Sequence, residues 1–341
     1  MEKSEMLKKC REYNSSNDYL YYLIYRKQYD VYAVINAPCN YLYRNDEDQF
    51  FGTCIYTSEN NISDEMADSV PEGKNLFGIP MVKIASRKEN GKVSALDNRR
   101  IRELPLRYRL DSVPRFSSPF IPAYSCFECE DVIDIIEPKK ALNDLCRRDA
   151  DYASFVSALT ERFKIAPEQL GMAGSAALCA DSIDDYDIVF YGDAAELKRI
   201  NGIQAEINRI QGVPKLDGFP LPFRMMFGGH AVDSLFVYEP PVLGEIQFAR
   251  QIRSNVPFRC CVTDDPAGMQ VGPYLKVTGE DYSAAILADS FFHAVIQKGD
   301  IIEGRGDLLQ WEHNGETENI IYCRYPFDQL IDYTRYFYRQ E

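Results

Sequence analysis

The chain has 341 residues, 45% of them hydrophobic and 26% charged, which is enough apolar material for two or three ordinary cores. Thirty-eight Lys and Arg against 52 Asp and Glu leave a formal charge of −14; this argues against wide, nonspecific wrapping of duplex nucleic acid or of an anionic membrane, although a local basic patch can still bind phosphate. No apolar run approaches the roughly 20 residues needed to cross a bilayer, and the charged start lacks the apolar centre of a signal peptide, so a soluble, cytoplasmic protein with no membrane partner is expected.

The first elements are aromatic. Tyr19-Leu-Tyr-Tyr-Leu-Ile-Tyr25 and Tyr29-Asp-Val-Tyr-Ala-Val-Ile35 are rich in aromatic and β-branched residues around a polar break, the pattern of a hairpin. An acidic stretch from Ser58 to Glu72 follows, then a strand-like run from Phe77 to Ala85. From Lys83 to Arg115 ten basic residues, Arg99, Arg100 and Arg102 among them, stand against four acidic ones, a local charge of +6. Such a run is either a solvated face or a contact surface for RNA phosphates. Three prolines between Pro114 and Pro122 read as an extended connector.

Ten cysteines lack the dense, regular spacing of a secreted disulfide scaffold. Cys126-Phe-Glu-Cys129 is a single C-x-x-C, and His230, His293 and His313 are all remote from it. A structural zinc site needs a second pair of ligands at fixed spacing, so two ordinary thiols at a strand end are the favoured reading.

After Pro138 the hydrophobic period changes from two to about 3.6. Ala153, Val156, Leu159 and Phe163 recur at helical spacing within a window from Leu145 to Phe163, and a second helix is predicted from Asp193, as cap, to Gln211, with Gly212 behind it. Between the two lies Gly171-Met-Ala-Gly-Ser-Ala-Ala-Leu-Cys-Ala-Asp-Ser-Ile-Asp-Asp-Tyr-Asp-Ile-Val-Phe-Tyr191. In a strand, Asp185 and Asp187 project from one face about 6.7 Å apart, while Tyr186, Ile188 and Phe190 point to the other. Two acids on one face repel each other unless a cation sits between them, and a hard ion such as Mg²⁺ takes few carboxylates and completes its shell with water and phosphates. A second strand, Ala231-Val-Asp-Ser-Leu-Phe-Val-Tyr238, opens with a third acid, Asp233. Gly174 and Ser175 supply a close backbone approach and donors for phosphate at a helix start.

At these residues the chain resembles the DNA polymerase beta-like nucleotidyltransferase superfamily, in particular its small prokaryotic predicted nucleotidyltransferases. The signature is an apolar residue, Gly, then Gly or Ser, a gap of about ten residues, an Asp-apolar-Asp-apolar strand and a later acid. Ala173-Gly174-Ser175, Asp185-Tyr186-Asp187-Ile188 and Asp233 match it over roughly residues 140–250. Tyr186 between the acids and Asp184 before them, where Ser is common, depart from it without removing a ligand. The resemblance implies that Asp185, Asp187 and Asp233 bind Mg²⁺ or Mn²⁺ and carry catalysis, and that Gly174 and Ser175 hold the nucleotide. Around this set, Asp184 reads as a turn acid facing away and His230 as structural. Lys198 and Arg199 read as solvated helix residues, and Asp217 and Glu239 are the fallbacks for the third acid.

Beyond Gln251 short strands return: 258–263, 274–278, 290–296, 307–311 and 320–323, with Asn314-Gly315 as a tight hairpin turn. Strands at this spacing point to a small barrel. The expected protein is α+β: an aromatic-rich, β-containing N-terminal domain (1–138), a central mixed-sheet nucleotidyltransferase domain (139–250) and a β-rich C-terminal domain (251–341). The expected activity moves a nucleoside monophosphate from an NTP to a hydroxyl of RNA, protein or a small molecule and releases pyrophosphate. The alternative is a catalytically inactive nucleotide- or RNA-binding regulator that keeps the fold.

Overall fold

The computed structural model describes residues 3–14, 22–27, 30–36, 48–70, 73–89, 92–95, 101, 103–108, 112, 125–180, 183, 185–216, 219–240, 246–269, 272–287, 294, 296–313 and 315–323. The chain divides into two compact units, Met1–Ala141 with Ala173–Ile183, and Leu142–Met172 with Asp184–Glu341.

The first unit begins with helix α1 (Lys3–Asn14) and strands β1 (Tyr22–Lys27), β2 (Asp30–Asn36), β3 (Gln49–Ser58), β4 (Lys74–Leu76) and β5 (Ile79–Lys83). After them come β6 (Ser86–Glu89), β7 (Lys92–Ala95), β8 (Ser125–Glu128) and β9 (Val132–Ile136). Seven strands form one sheet in the order β4-β5-β3-β2-β1-β9, with β8 also pairing β3, while β6 and β7 form a separate ribbon. The aromatic segment is a hairpin, antiparallel from Tyr22↔Ile35 to Lys27↔Asp30. The run from Phe77 to Ala85 is not one strand. Phe77 and Gly78 take φ of 53° and 75°, the pair of positive values that a two-residue hairpin turn requires, and the chain folds back so that β4 pairs β5.

Met6 and Cys10 of α1 join Phe50, Cys54, Phe127, Cys129, Val132 and Ile135 in the core of this unit. Cys126 and Cys129 are 2% and 0% exposed, in keeping with ordinary core thiols. Of the ten basic residues from Lys83 to Arg115, the side chains of Lys83 and Arg107 are described, and Arg107 pairs with Asp64 at 3.0 Å. Arg99, Arg100, Arg102 and the connector at 114–122 lie outside the described residues.

Helices α2 (Pro138–Arg148) and α3 (Ala150–Phe163) occupy what the helical window presents as a single helix. Asp149 breaks it. Its backbone is extended (φ −136°, ψ 120°) and its carboxylate accepts a hydrogen bond from the N–H of Asp151, so the competition between side chain and backbone that favours Asp at caps wins over the period. Tyr152, Phe155, Val156, Leu159 and Phe163 form the buried stripe of α3, and Ala153 is exposed.

Next come β10 (Leu170–Met172), α4 (Gly174–Ala177), β11 (Tyr186–Gly192) and α5 (Ala194–Gln211), then β12 (Lys215–Leu216), β13 (Phe219–Pro220), β14 (Arg224–Phe227) and β15 (His230–Tyr238). Strands β10-β11-β15-β14 make a mixed sheet in which β11 and β15 are parallel and the outer pairs antiparallel. Period-two geometry sends Tyr186, Ile188 and Phe190 to one face, where Phe163 of α3 meets Phe190 at 5.4 Å and Phe155 meets Tyr186 edge-on at 4.9 Å. Phe163 and Phe190 are both fully buried, each worth roughly 1.5–3 kcal/mol of transfer free energy. Asp193 caps α5 by accepting from the N–H of Glu196, and Gly212 ends it with φ 89°. Leu197, Ile200 and Ile207 are buried, and Ile210 is exposed.

The chain then builds β16 (Ile246–Ala267), β17 (Tyr274–Thr278), β18 (Ala284–Leu287), β19 (Ile301–His313) and β20 (Glu316–Cys323). They close a barrel in the order β16-β17-β18-β20-β19, with β18 and β20 parallel and the remaining pairs antiparallel. Its interior holds Phe258, Val262, Leu275, Val277, Leu287, Ile302, Leu308 and Ile321. The expected strand at 290–296 lies largely outside the described residues. Among the described residues no helix is long and apolar enough to cross a membrane.

Candidate active site

Parallel pairing of β11 with β15 sets Asp187 directly beside Asp233, on backbones about 4.8 Å apart. Asp185 stands one residue before β11 begins, two positions from Asp187 and so on the same side of the chain. The acids therefore occupy the sheet face opposite Tyr186 and the α3 aromatics. All three are partly buried.

A hairpin brings a cation to them. Gly228 and Gly229 take φ of 59° and 86°, as a two-residue turn between strands of right-handed twist requires. That turn fixes the register of β14 on β15, from Phe227↔His230 to Arg224↔Asp233. Arg224 Nε donates to Asp233 Oδ1 at 2.5 Å, and Nη2 donates to Asp233 Oδ2 at 2.7 Å and to Asp185 Oδ2 at 2.6 Å. A bidentate, charge-assisted fork of this kind is the strongest arrangement open to arginine and carboxylate. The hydrogen bonding to Asp233 pushes the guanidinium pKa above its ordinary value. Burial opposes that shift, and the charges of Asp233, Asp185 and Asp187 reinforce it.

Helix α5 holds the backbone from which Arg224 projects. Asn208 Nδ2 donates to the carbonyls of Arg224 (3.0 Å) and Pro222 (3.2 Å), and Gln204 Nε2 donates to Pro222 O at 2.6 Å. Both amides are buried, Gln204 at 0% and Asn208 at 4% exposure. The strand is thereby pinned at the level of its main chain, and the arginine side chain retains its own rotatable bonds.

Counted over Asp185, Asp187, Asp233 and Arg224, three carboxylates and one guanidinium leave two negative charges. Hard oxygen donors with a twofold negative excess suit Mg²⁺ or Mn²⁺ by charge and ligand type. Their placement does not yet form an ion site: among the described residues no group of three or more His, Cys, Asp or Glu is positioned to hold a metal. The acids are instead arranged around Arg224.

The other predicted residues fall as follows. Gly174 and Ser175 open α4 directly after β10 and belong to the first unit, whereas the acids belong to the second. Gly174 has φ 62°, a left-handed value that glycine adopts without strain, and Ser175 is 8% exposed. Asp184 and Asp217 lie outside the described residues, and Glu239 is exposed just beyond β15. Asp193 is a helix cap. Lys198 pairs with Asp265 of β16 at 2.9 Å, and Arg199 Nη1 donates to the carbonyl of Phe163 at 2.6 Å, so both are tied within the second unit. His230 stacks on Tyr186 with ring centroids 4.5 Å apart, on the face away from the acids. Arg224 is the residue that the carboxylate pattern alone misses; the Gly-Gly hairpin two positions beyond Met226 is the signal that finds it. No protein-family model matches the chain, and no curated protein or solved structure matches it.

Proposed function

We propose that the chain is a nucleotidyltransferase, moving a nucleoside monophosphate from an NTP to a hydroxyl acceptor with release of pyrophosphate. The observation that supports this reading is the register of Asp187 against Asp233 on neighbouring parallel strands, with Asp185 tied to the same guanidinium as Asp233. In it, Asp185, Asp187 and Asp233 hold Mg²⁺ or Mn²⁺, and Asp233 helps to take the proton of the attacking hydroxyl. The bound ions supply charge stabilisation at the transferring phosphoryl group and its leaving pyrophosphate. No nucleophilic side chain is needed. The acceptor class is RNA, protein or small molecule.

A second reading, a nucleotide-binding regulator without turnover, is favoured by one observation: Arg224 already engages two of the three carboxylates. Turnover separates the two. The protein is incubated with each of four labelled NTPs, Mg²⁺ and cell RNA or lysate, and pyrophosphate and labelled product are measured beside Asp187→Asn. The transferase reading expects release and transfer by the parent and none by Asp187→Asn. Nucleotide binding without release by the parent, or release that survives Asp187→Asn, contradicts it.

A further inference from the structure

The face of the mixed sheet turned away from the acids carries a column of rings that leads out of the core. Tyr152 of α3 stacks on Tyr186 (centroids 5.2 Å apart, planes 28° apart), and Tyr186 stacks on His230 (4.5 Å, 15°), the offset-parallel arrangement that ring quadrupoles favour. Exposure rises along the column: Tyr152 is 7% exposed, Tyr186 is partly buried and His230 is exposed. Phe155 stands at 86° to both Tyr186 and His230, 4.9 and 5.8 Å away. A ring that close to two stacked neighbours lies along the flank of the column and leaves its end uncovered.

Two features of that end suit a further ring. Among the described residues neither nitrogen of His230 has a hydrogen-bond partner, so ring contacts alone set the plane of the imidazole. The adjoining turn is Gly228-Gly229, and a Cβ built on Gly229 would meet no atom within 4 Å, so the space beside the ring is open. We propose that the outer face of His230 is a stacking platform for a nucleobase, which extends the column by one ring. A polar-edged ring beside bare glycine backbone suits a base, itself polar-edged, better than an apolar side chain. Every base has a π-face, so the platform selects the class of ligand and tolerates any base. The base comes from a free nucleotide or from a single strand. This goes beyond the transferase reading and does not need it, since stacking uses neither the three acids nor a divalent ion.

The full-length protein, freed of divalent ions with EDTA, is titrated with AMP and, separately, with a single-stranded oligoadenylate. His230 is one of three histidines, and its ring-proton resonances are assigned by their loss in His230→Ala. They should move upfield with a base-bearing ligand, through the ring current of the added base, and stay in place with ribose 5-phosphate, which carries the sugar and phosphate alone. Affinity should fall on the order of ten-fold in His230→Ala and His230→Leu, and return to the parent value or above in His230→Trp, which restores a ring. A shift with AMP assigns the platform to free nucleotides and a shift with oligoadenylate alone assigns it to a strand; either supports the proposal. Ring protons indifferent to both ligands, an equal response to ribose 5-phosphate or to N-acetyltryptophanamide, or parent affinity in His230→Leu overturns it. The proton readout is made on the parent and stands even if a variant fails to fold. Its failure leaves the transferase reading untouched, because neither the acids nor an ion enters the measurement.

Discussion

Glu318 in the barrel and Asp233 in the mixed sheet are carboxylates of nearly equal exposure, 15% and 14% at the side chain, and their surroundings differ in one respect that matters. Glu318 is saturated. Its Oε1 accepts from Lys276 Nζ (2.6 Å) and Ser283 Oγ (2.7 Å), and its Oε2 accepts from Trp311 Nε1 (3.0 Å) and Tyr274 Oη (3.1 Å). One negative charge meets one positive charge and three neutral donors, and the cluster ties β17, β19 and β20 together. Asp233 shares the Arg224 guanidinium with Asp185 and lies in register with Asp187, so that, counted over these four side chains alone, two negative charges remain. A buried charge that is fully paired does structural duty; an excess held in place by the fold is an invitation to a cation. On the proposed function, that contrast separates scaffold from site.

The largest expected effect breaks the saturated side. Glu318→Ala strands the Lys276 ammonium and three neutral donors and should cost about 3 kcal/mol, measured by urea unfolding, while Mn²⁺ affinity stays at the parent value. The same cluster predicts a pH dependence. Burial raises the Glu318 carboxyl, but the hydrogen bonds from Lys276, Ser283 and Trp311 outweigh it, so its pKa lies below the ordinary 4.5. A folded-state pKa below the unfolded one contributes stability that is present above the unfolded value and lost as pH falls through the folded one. The stability gap between parent and Glu318→Gln should therefore be full at neutral pH and close as pH falls below about 4.5. A gap that widens on acidification would mean that the donors do not outweigh burial.

A smaller effect sharpens the other side. Asn208→Ala removes the amide that holds the carbonyls of Arg224 and Pro222 and should cost about 1–2 kcal/mol. Unchanged stability would show that water replaces the amide without loss.

Much of the mixed sheet is legible in the sequence, because its signals are local. The alternation in Asp185-Tyr186-Asp187-Ile188 and in Ala231 to Tyr238 gives β11 and β15, and the cap at Asp193 with the stop at Gly212 gives α5. Even Arg224 can be found by counting: a two-residue turn at Gly228-Gly229 pairs Phe227 with His230, and three steps back along each strand meet Arg224 and Asp233. Attention to the acids alone passes over it. The break at Asp149 is masked by a helical period that runs through it, and the turn at Phe77-Gly78 by an apolar run that continues on both sides. Strands of the barrel can be read, but the Glu318 cluster cannot, since its donors at 274, 276, 283 and 311 are brought together by pairings between distant segments, one of them the parallel pair β18 with β20.

The contrast between a neutral cluster and a charged one is tested most directly by the melting temperature as Mn²⁺ is added, since an ion that binds only the folded protein stabilises it in proportion to the logarithm of its concentration. Parent, Glu318→Gln and the double variant Asp185→Asn with Asp187→Asn are compared. The account predicts that Mn²⁺ raises the melting temperature of the parent and of Glu318→Gln by similar amounts and leaves the double variant unmoved. A rise of equal size in the double variant, or none in the parent, would contradict it.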